Sequence, residues 1–332
     1  MIVSMTPFRI SFFGGGTDYP DWFQDHGGAV ISATIDKYCF ITCRYLPPFF
    51  KHTHRIVYSR VEEVGSASEI QHPSVKAVLQ WLKVEKGLEI HHDGDLPARS
   101  GLGSSSAFTV GLLNSVMALR GKHVSSQELA SQAIHIEQDI IKESVGSQDQ
   151  IATAYGGINI IKFEPNGAFD VSPVILCSDR RAHLESHLML FFTGISRNAS
   201  DIARLKIQNL KLREKNLHRM MEMVGESENI LQESADYCKD FGRLLSESWS
   251  YKRSLSNRVS TKVIDEIYDE AMSAGAYGGK LLGAGGGGFM MFIVKPELQN
   301  RVREKLKRLI YVPVHFEFSG SKIAFYQPDG LV

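Results

Sequence analysis

Two kinds of hydrophobic spacing divide the first half of the chain into predicted strands and helices. Runs rich in β-branched and aromatic residues predict strands, and these runs cover residues 1–13, 29–46, 55–60, 88–94 and 158–163. Apolar residues at helical spacing predict one helix that begins at Pro73 and another that follows residue 106. Ser125 and Glu128 form a capping box at the start of a further helix. The first half therefore mixes both kinds of element.

The second half opens with helical periodicity over residues 198–250. One apolar stripe, which includes Leu205 and Leu210, stops near Gly225, and a second stripe follows. This pattern predicts two antiparallel helices that pack on a sheet, and the drifting spacing argues against a coiled coil. Strand-like residues at 280–294, a helix over 296–309 and two short strands close the chain. We expect an α+β protein with two domains, 1–175 and 176–332.

Composition and charge leave a globular protein as the expected class. The 332 residues include 37 basic and 37 acidic side chains, so no net field favours nucleic acid or an anionic membrane. The four cysteines show no CxxC spacing, which favours reduced thiols over disulfides or zinc ligands. The N-terminus lacks the pattern of a signal peptide, and no apolar run has the length of a membrane span. We expect a cytoplasmic protein without a membrane or nucleic-acid partner.

The glycine- and serine-rich stretch PARSGLGSSSA, residues 97–107, lies between a predicted strand and a predicted helix. Such a loop presents unpaired N–H groups and the positive end of a helix dipole, which together bind anions. Its serine hydroxyls add donors for phosphate or ligands for magnesium. The loop lacks the Gly-Lys-Ser/Thr, GxGxxG and GxSxG patterns. It indicates a nucleoside triphosphate site, with a serine-rich helix cap as the alternative.

A second glycine cluster, PFRISFFGGGTD, brings a basic residue and a carboxylate close to three consecutive glycines. Glycines at 14–16 allow the backbone to approach a ligand closely. Asp18 supplies a carboxylate that can bind neighbouring sugar hydroxyls. The alternative is a turn in which Asp18 only caps the backbone.

Two carboxylates twelve positions apart, Glu137 and Asp149, are candidates for phosphoryl-transfer chemistry. That chemistry needs a carboxylate near the attacking hydroxyl, a metal on the phosphate oxygens and a nearby positive charge. Asp149 can fill the first role, Glu137 with a loop serine the second, and Arg9 the third. Sequence spacing alone does not show that they converge.

A third glycine cluster, KLLGAGGGGF, contains four consecutive glycines between two apolar runs. Four glycines in a row lose much chain entropy on folding, which argues against a casual linker. We interpret them as a close backbone approach to a ligand or to another loop. A flexible turn is the alternative.

These three motifs, in this order from residue 7 to residue 289, resemble the GHMP kinases, a family that includes galactokinase, homoserine kinase and mevalonate kinase. The resemblance implies a two-domain fold with the active site between the domains. The N-terminal domain would be of the ribosomal-protein-S5-domain-2-like type, and the C-terminal domain a ferredoxin-like α/β sandwich. It also implies ATP and Mg²⁺ as cofactors and a small-molecule phosphosugar as partner, in a monomer or dimer.

The resemblance further implies a role for each motif residue. Asp149 and Arg9 are the implied catalytic residues, and Ser105 and Glu137 the implied magnesium ligands. The implied contacts to the ATP phosphates are Pro97, Arg99, Gly101, Leu102, Gly103, Ser104, Ser105 and Ser106. The implied sugar contacts are Gly15, Gly16, Thr17, Asp18 and Asp149. The implied closing loop of the third motif contains Gly283, Gly285, Gly286 and Gly287.

The triple-glycine version of the first motif resembles that of the bacterial D-glycero-D-manno-heptose 7-phosphate kinases within this family. The resemblance implies phosphorylation of the anomeric hydroxyl to the 1,7-bisphosphate, for nucleotide-activated heptose in capsule or lipopolysaccharide biosynthesis. Fucokinases share the triple glycine and are an alternative, as is a non-catalytic sensor of ATP and sugar. A 7-phosphate would need a cationic pocket, for which the candidates are Arg44, Lys51, His52, His54, Arg55, Arg180, Arg181 and Arg197.

Overall fold

The computed structural model describes residues 1–195, 213–256 and 258–329. Within these ranges the strands form a nine-stranded and a four-stranded sheet, and the predicted α+β class is confirmed. None of the described helices has the length and apolarity that crossing a membrane requires.

The first sheet and its helices are built mainly from the first half of the chain. Its strands there are β1 (Ile2–Phe13), β2 (Gly28–Tyr45), β3 (His54–Val57), β4 (Val61–Val64), β5 (Leu88–Gly94), β6 (Ile158–Phe163) and β7 (Phe169–Pro173). The helices are α1 (Pro20–His26), α2 (Pro73–Trp81), α3 (Ser104–Leu119), α4 (Ser126–His135) and α5 (Gln148–Tyr155). A π-helical turn, Ile136–Ile140, extends α4.

The centre of this sheet is the long antiparallel pair β1 and β2, in which Arg9 lies opposite Thr34. Helix α3 packs on both strands through a nearly continuous apolar surface. Gly111 allows this approach, since a Cβ there would lie 2.8 Å from the Thr6 hydroxyl oxygen. The start of α3 is thereby fixed close to the end of β1, and this arrangement determines where the phosphate-loop residues lie.

The second sheet is antiparallel and has the strand order of a ferredoxin-like fold. Its strands are β8 (Leu188–Phe192), β9 (Ala276–Leu281), β10 (Phe289–Val294) and β11 (Ile310–Val312), in the order β11-β8-β10-β9. The helices of this half are α6 (Ser178–His187), α7 (Glu214–Glu233), α8 (Tyr237–Ser254), α9 (Lys262–Ser273) and α10 (Gln299–Lys305). Buried side chains such as Phe191 and Phe292 form its core.

The last two strands return to the first sheet. Strand β12 (Phe316–Glu317) pairs with β2, and β13 (Lys322–Tyr326) pairs with β1. The side chains of Thr6 and Asn114 hydrogen-bond the hydroxyl of Ser321. A single boundary between 175 and 176 therefore assigns these two strands to the half of the chain with which they do not pair. The division into 1–175 and 176–332 otherwise stays a prediction.

The predicted helix break near Gly225 is wrong. Gly225 lies inside α7, and the chain breaks at 234–236, where Ser234 ends α7 and Asp236 precedes α8. A Cβ on Gly225 would have no atom within 4 Å, so this glycine is an exposed helix residue without a packing role. The expected pair of antiparallel helices is present as α7 and α8, which pack on each other. Leu205 and Leu210 lie outside the described residues.

Candidate active site

The phosphate-loop residues connect β5 to α3 by a sequence of left-handed backbone positions. Gly101 and Gly103 have φ of 83° and 75°, and Gly103 is the N-cap of α3. Arg99 also has a positive φ, 60°, which is uncommon for a residue with a Cβ and is found where function restrains the backbone. The first N–H groups of α3 are therefore presented at the end of a glycine turn, as an anion site requires.

A cavity of 1120 Å³ lies against this loop and is large enough for a nucleotide together with a sugar. The predicted residues that line it are Arg9, Gly15, Asp18, Arg99, Gly101, Gly103, Ser104, Ser105, Asp149 and Gly283. The other predicted residues do not line it; they are Gly16, Thr17, Pro97, Leu102, Ser106, Glu137, Gly285, Gly286 and Gly287. The structure thus brings parts of all three glycine motifs to one cavity.

Arg9 and Asp149 form a two-point ion pair on the cavity wall. The Arg9 Nε donates to Asp149 Oδ1 at 2.8 Å, and Nη2 donates to Oδ2 at 2.6 Å. The third contact of Arg9 is from Nη1 to the Gly101 carbonyl oxygen, at 2.7 Å. Arg9 is 3% exposed, while the Asp149 side chain is half-buried. The ion pair therefore fixes the direction of the Asp149 carboxylate relative to the phosphate loop.

Two opposing effects determine the charge of Asp149. Burial raises the pKa of this carboxyl, and the Arg9 guanidinium acts in the opposite direction. The nearby Asp18 carboxylate raises the pKa as well. The carboxylate is thus held beside a cation at the cavity wall, an arrangement suited to accept a proton from a hydroxyl bound there.

Asp18 is anchored on both carboxylate oxygens. Oδ1 accepts a hydrogen bond from the Gly16 N–H, and Oδ2 accepts one from Gln148 Nε2, each at 2.8 Å. Asp18 therefore caps the backbone and also lines the cavity. Gly146 permits this arrangement, since a Cβ there would lie 1.9 Å from Asp18 Oδ2. The oxygen of the Gln148 amide, Oε1, has no hydrogen-bond partner among the described residues.

Thr17 has a structural position. Its hydroxyl donates to the carbonyl oxygens of Gly14 and Ala29, both at 2.9 Å, and accepts from the Ala29 N–H at 3.1 Å. The residue is fully buried. These bonds fix the turn that carries Asp18, so we see no route for Thr17 to contact a ligand directly.

Glu137 lies behind the phosphate loop, in the π-helical turn that follows α4, and is 1% exposed. Its Oε2 accepts hydrogen bonds from the Ser106 hydroxyl at 2.9 Å and from Gln150 Nε2. Its other oxygen, Oε1, is buried and makes no hydrogen bond of good geometry within the described ranges, although the nearby Thr109 hydroxyl acts to lower the pKa of this carboxyl. Burial raises the pKa of Glu137 to about 7. A buried carboxylate oxygen without a partner is costly unless a proton or a cation occupies it.

The donor set around Glu137 fits a magnesium ion. Carboxylate and hydroxyl oxygens are the ligands that Mg²⁺ takes beside nucleotide phosphates. Ser105 lines the cavity one residue before Ser106, whose hydroxyl contacts Glu137. The buried Oε1, without a well-formed hydrogen bond, is the observation that supports a cation here.

The five glycines of the third motif contact backbone rather than extend a strand. The predicted strand over 280–294 is interrupted at 282–288, between β9 and β10. A Cβ on Gly283 would lie 2.5 Å from Gly101 Cα, and one on Gly288 would lie 2.2 Å from the Ser100 carbonyl oxygen. The predicted close approach to another loop is therefore present, and that other loop is the phosphate loop.

Gly285 and Gly287 contact two other backbone segments, at Val259 and at Ile195. A Cβ on Gly285 would lie 2.8 Å from Val259 Cα, and one on Gly287 would lie 2.4 Å from the Ile195 carbonyl oxygen. The Gly286 N–H donates to the Val259 carbonyl oxygen at 2.9 Å. These three glycines hold the loop in position, and Gly283 reaches the cavity.

One end of the cavity has an aromatic wall that the sequence motifs do not include. Phe108 stacks on His72 with ring centroids 4.5 Å apart, and Tyr58 and His92 meet this pair edge-on. Burial lowers the pKa of His72 to about 4, so its ring is neutral at pH 7. The four residues come from separate elements and have no shared sequence pattern, so no motif identifies this wall. Aromatic rings in stacked and edge-on contact can pack against a further planar ring.

The described cations proposed for a 7-phosphate do not line this cavity, and that interpretation is wrong for them. Arg44 and Arg55 form ion pairs with the carboxylate of Glu89, and His52 lies near Glu63. Because carboxylates of neighbouring strands already pair with these cations, little of their positive charge is available to bind a phosphate group. The other described candidates, likewise away from the cavity, are Lys51, His54, Arg180 and Arg181. Arg197 lies outside the described residues.

Among the described residues, five cations line the cavity: Arg9, Arg60, Arg99, Lys252 and Lys280. The ammonium of Lys280 donates to the Phe12 carbonyl oxygen at 2.7 Å, and that of Lys252 donates to the carbonyl oxygens of Leu281 and Gly283. Lys280 is part of the third motif, but the glycine pattern of that motif does not mark this lysine as a cavity residue. Lys252 and Arg60 have no motif signal.

Comparison with known proteins finds one family on both halves of the chain. Residues 71–157 match the family described as GHMP kinases N terminal domain, and residues 234–312 match GHMP kinases C terminal. A D-glycero-alpha-D-manno-heptose 7-phosphate kinase of Campylobacter jejuni is 31% identical over 324 residues, with 92% of this chain and 93% of that protein covered. A bifunctional fucokinase/GDP-fucose pyrophosphorylase of Arabidopsis thaliana is 24% identical and covers 91% of this chain, which spans 30% of that protein.

A solved structure supports the same relationship. The crystal structure of a D-glycero-D-manno-heptose 1-phosphate kinase from Bacteroides thetaiotaomicron superimposes with a TM-score of 0.79 at 25% identity. The superposition covers 97% of this chain and 98% of the other. The two-domain fold expected from the motifs is therefore confirmed.

Proposed function

The chain belongs to the GHMP kinase family, and on that premise we propose that it phosphorylates the anomeric hydroxyl of D-glycero-D-manno-heptose 7-phosphate with ATP. The product would be the 1,7-bisphosphate, a precursor of nucleotide-activated heptose. The observation that carries this proposal is the Arg9–Asp149 ion pair on a cavity that also contains the phosphate loop and Asp18. The 31% identical relative from Campylobacter jejuni supports heptose 7-phosphate as the acceptor.

The cavity residues divide between the two substrates. The glycine turn at Gly101 and Gly103, with the first N–H groups of α3, would hold the ATP phosphates. The aromatic wall of His72 and Phe108 would hold the adenine ring. Asp18 and the backbone at Gly15 would bind sugar hydroxyls, since they line the cavity beside Asp149.

In the proposed reaction, Asp149 accepts the proton of the anomeric hydroxyl while the oxygen of that hydroxyl forms a bond to the γ-phosphorus of ATP. The bond between that phosphorus and the bridging oxygen breaks, and ADP leaves with the electron pair. Arg9 orients Asp149 and, from the same position, stabilises negative charge on the transferred group. Ser105 and Glu137 would hold a magnesium ion, which would supply positive charge to neutralise the ATP phosphates.

Lys280 is the cation that we assign to the distal phosphate of the sugar. Its ammonium contacts the Phe12 carbonyl oxygen, two residues before the glycine turn that carries Asp18. A Lys280→Met variant should raise KM for heptose 7-phosphate about 10- to 100-fold, because a charged contact to a phosphate is worth about 1.5–3 kcal/mol. Arg60→Met is the matched control, since Arg60 lines the cavity beside Tyr58 in the aromatic wall. An equal rise of KM for the phosphosugar in both variants would contradict the assignment.

The acceptor is tested by ADP release with heptose 7-phosphate, heptose 1-phosphate, unphosphorylated heptose, fucose, galactose and mevalonate. We expect the highest kcat/KM with heptose 7-phosphate. A preference for fucose would support the fucokinase alternative, which the 24% identical plant relative represents. Turnover of none of the six, with ATP binding intact, would support a sensor. The need for ATP supports a cytoplasmic location for the proposed reaction.

A further inference from the structure

A compact group of metal-ligating side chains lies apart from the cavity, on the helices of the second half. His183 and His187 occupy successive turns of α6, and Cys238 is the second residue of α8. One ligand atom from each of the three side chains lies within 4.8 Å of the others. None of the three lines the cavity described above.

The hydrogen bonds of His187 fix which of its nitrogens is available. Its Nδ1 lies 2.8 Å from the carbonyl oxygen of His183. A carbonyl oxygen only accepts hydrogen bonds, so Nδ1 donates and the lone pair is on Nε2. Histidine ligands of metal ions commonly donate their other ring N–H to a backbone carbonyl in this way. Burial lowers the pKa of His187, so the ring is neutral at pH 7.

His183 and Cys238 complete the donor set. The Nδ1 of His183 lies 3.6 Å from Cys238 Sγ and 2.7 Å from the Tyr237 hydroxyl oxygen. Cys238 is 1% exposed, and burial raises the pKa of its thiol to about 12. Without a metal the thiol is protonated and unreactive at neutral pH. His183 is exposed, which leaves room for a water molecule as a further ligand.

We propose that His183, His187 and Cys238 bind one zinc ion, with water as the fourth ligand. Two imidazoles and one thiolate are a donor set that zinc accepts in tetrahedral geometry. The Cys238 thiol would release its proton to solvent as its sulfur bonds to the ion. The guanidinium of Arg180 lies over the Tyr237 ring and is held there by hydrogen bonds to the carbonyl oxygens of Leu231 and Ser234.

The ion would join α6 to the start of α8, two helices that the chain separates by more than 40 residues. The far end of α8 contains Lys252, whose ammonium holds the carbonyl oxygens of Leu281 and Gly283 at the third motif. A link at the start of α8 therefore stabilises the element that supports this loop. The zinc site is independent of the proposed substrate.

The test uses the full chain, stripped of metal by a chelator and titrated with cobalt(II) and then zinc. We expect one cobalt per chain, with the near-ultraviolet charge-transfer band of a cobalt–thiolate bond, and its displacement by zinc with a rise in Tm. Cys238→Ser should abolish the band, and His183→Gln should weaken cobalt binding at least ~10-fold, since one ligand is lost. Binding of no stoichiometric metal ion by the unmodified chain would overturn the proposal.

Two control variants locate the ion. Cys177→Ser removes an exposed thiol that borders α6, and His218→Gln disrupts a second cluster formed by His26, Glu214 and His218. Both should retain the band and the affinity. Loss of the band in Cys177→Ser, or its retention in Cys238→Ser, would also overturn the proposal. If Cys238→Ser does not fold, His183→Gln on the exposed side of α6 gives the decisive result.

Discussion

At the scale of single residues, the Arg9–Asp149 ion pair limits how strong a base Asp149 can be. A guanidinium with two hydrogen bonds to a carboxylate stabilises its charged form and opposes the effect of burial. A weak base is sufficient here, because an anomeric hydroxyl is somewhat more acidic than an ordinary alcohol. The ion pair thus limits the basicity of the Asp149 carboxylate and fixes its orientation.

The Asp149→Asn variant removes the proton acceptor and keeps the side-chain shape. We expect kcat to fall at least ~10²-fold, since general-base catalysis contributes on that order. ATP binding, measured by calorimetry, should be retained because the phosphate loop is unchanged. Asp139→Asn, at an exposed carboxylate, is the matched control. Turnover of Asp149→Asn close to that of the unmodified enzyme would exclude Asp149 as the base.

Glu137 gives a pH dependence of known sign. Burial raises the pKa of this carboxyl to about 7, so the group is neutral below that pH and ionised above it. A proton competes with Mg²⁺ for the same oxygens, and apparent magnesium affinity should therefore rise about tenfold from about pH 6 to about pH 8. The measurement is the magnesium dependence of kcat/KM at fixed ATP across that pH range.

The Glu137→Gln variant separates this effect from the ionisation of ATP itself, which also titrates near neutrality. The variant should need more magnesium at every pH and should lose the part of the pH dependence that Glu137 contributes. The same magnesium titration in both proteins would show that Glu137 is a structural residue.

Site residues that belong to motifs can be predicted from the sequence, and site residues outside motifs cannot. Asp149 and Arg9 come from motif positions, and the structure pairs them. His72 and Phe108 belong to no motif, because the fold brings these two rings together from separate parts of the chain. Among the cations predicted for the distal phosphate, Arg44 and Arg55 instead pair with Glu89 across neighbouring strands.

At the scale of elements, two glycine loops are in backbone contact, and this contact explains their composition. Gly288 faces the carbonyl oxygen of Ser100 with no space for a Cβ. Gly167 has a similar backbone conformation, with φ of 85°, and a Cβ there would have no atom within 4 Å. A comparison of substitutions at the two positions therefore distinguishes the cost of backbone strain from the cost of steric overlap.

We predict that Gly288→Ala destabilises the protein more than Gly167→Ala does. Backbone strain alone costs about 1–3 kcal/mol at such positions, and overlap with Ser100 adds to it only at Gly288. Chemical denaturation measures the free energy of unfolding, and ATP turnover should fall only in Gly288→Ala. Equal losses of stability in the two variants would contradict the role of the loop contact.

Gly225 provides the opposite case among the glycines. It lies inside α7 without steric neighbours, so Gly225→Ala should raise the free energy of unfolding by about 0.5–1 kcal/mol. Denaturant titration checks this value, and a loss of stability would reveal a packing role that the structure does not show. The predicted helix break at Gly225 is wrong because tertiary packing of the α7 apolar face stabilises the helix by more than one glycine destabilises it.

At the scale of the whole molecule, local patterns predict more of the fold than of its connections. The strand at 88–94 and the capping box at Ser125 are present as predicted, because each depends on neighbouring residues only. Strands β12 and β13 join the first sheet from more than 270 residues away along the chain, and no local pattern signals such pairing. The long-range contacts of Ser321 with Thr6 and Asn114 belong to this part of the fold.

The most direct test of the proposed reaction is the position of the new phosphate, read by ³¹P NMR after incubation of the chain with ATP, Mg²⁺ and heptose 7-phosphate. We predict a second phosphorus signal coupled to the anomeric proton, formed in step with ADP. Asp149→Asn provides the matched control and should give this signal at least ~10²-fold more slowly. Attachment of the phosphate to another hydroxyl would contradict the account. Hydrolysis of ATP to ADP and inorganic phosphate, without phosphorylation of the sugar, would contradict it as well.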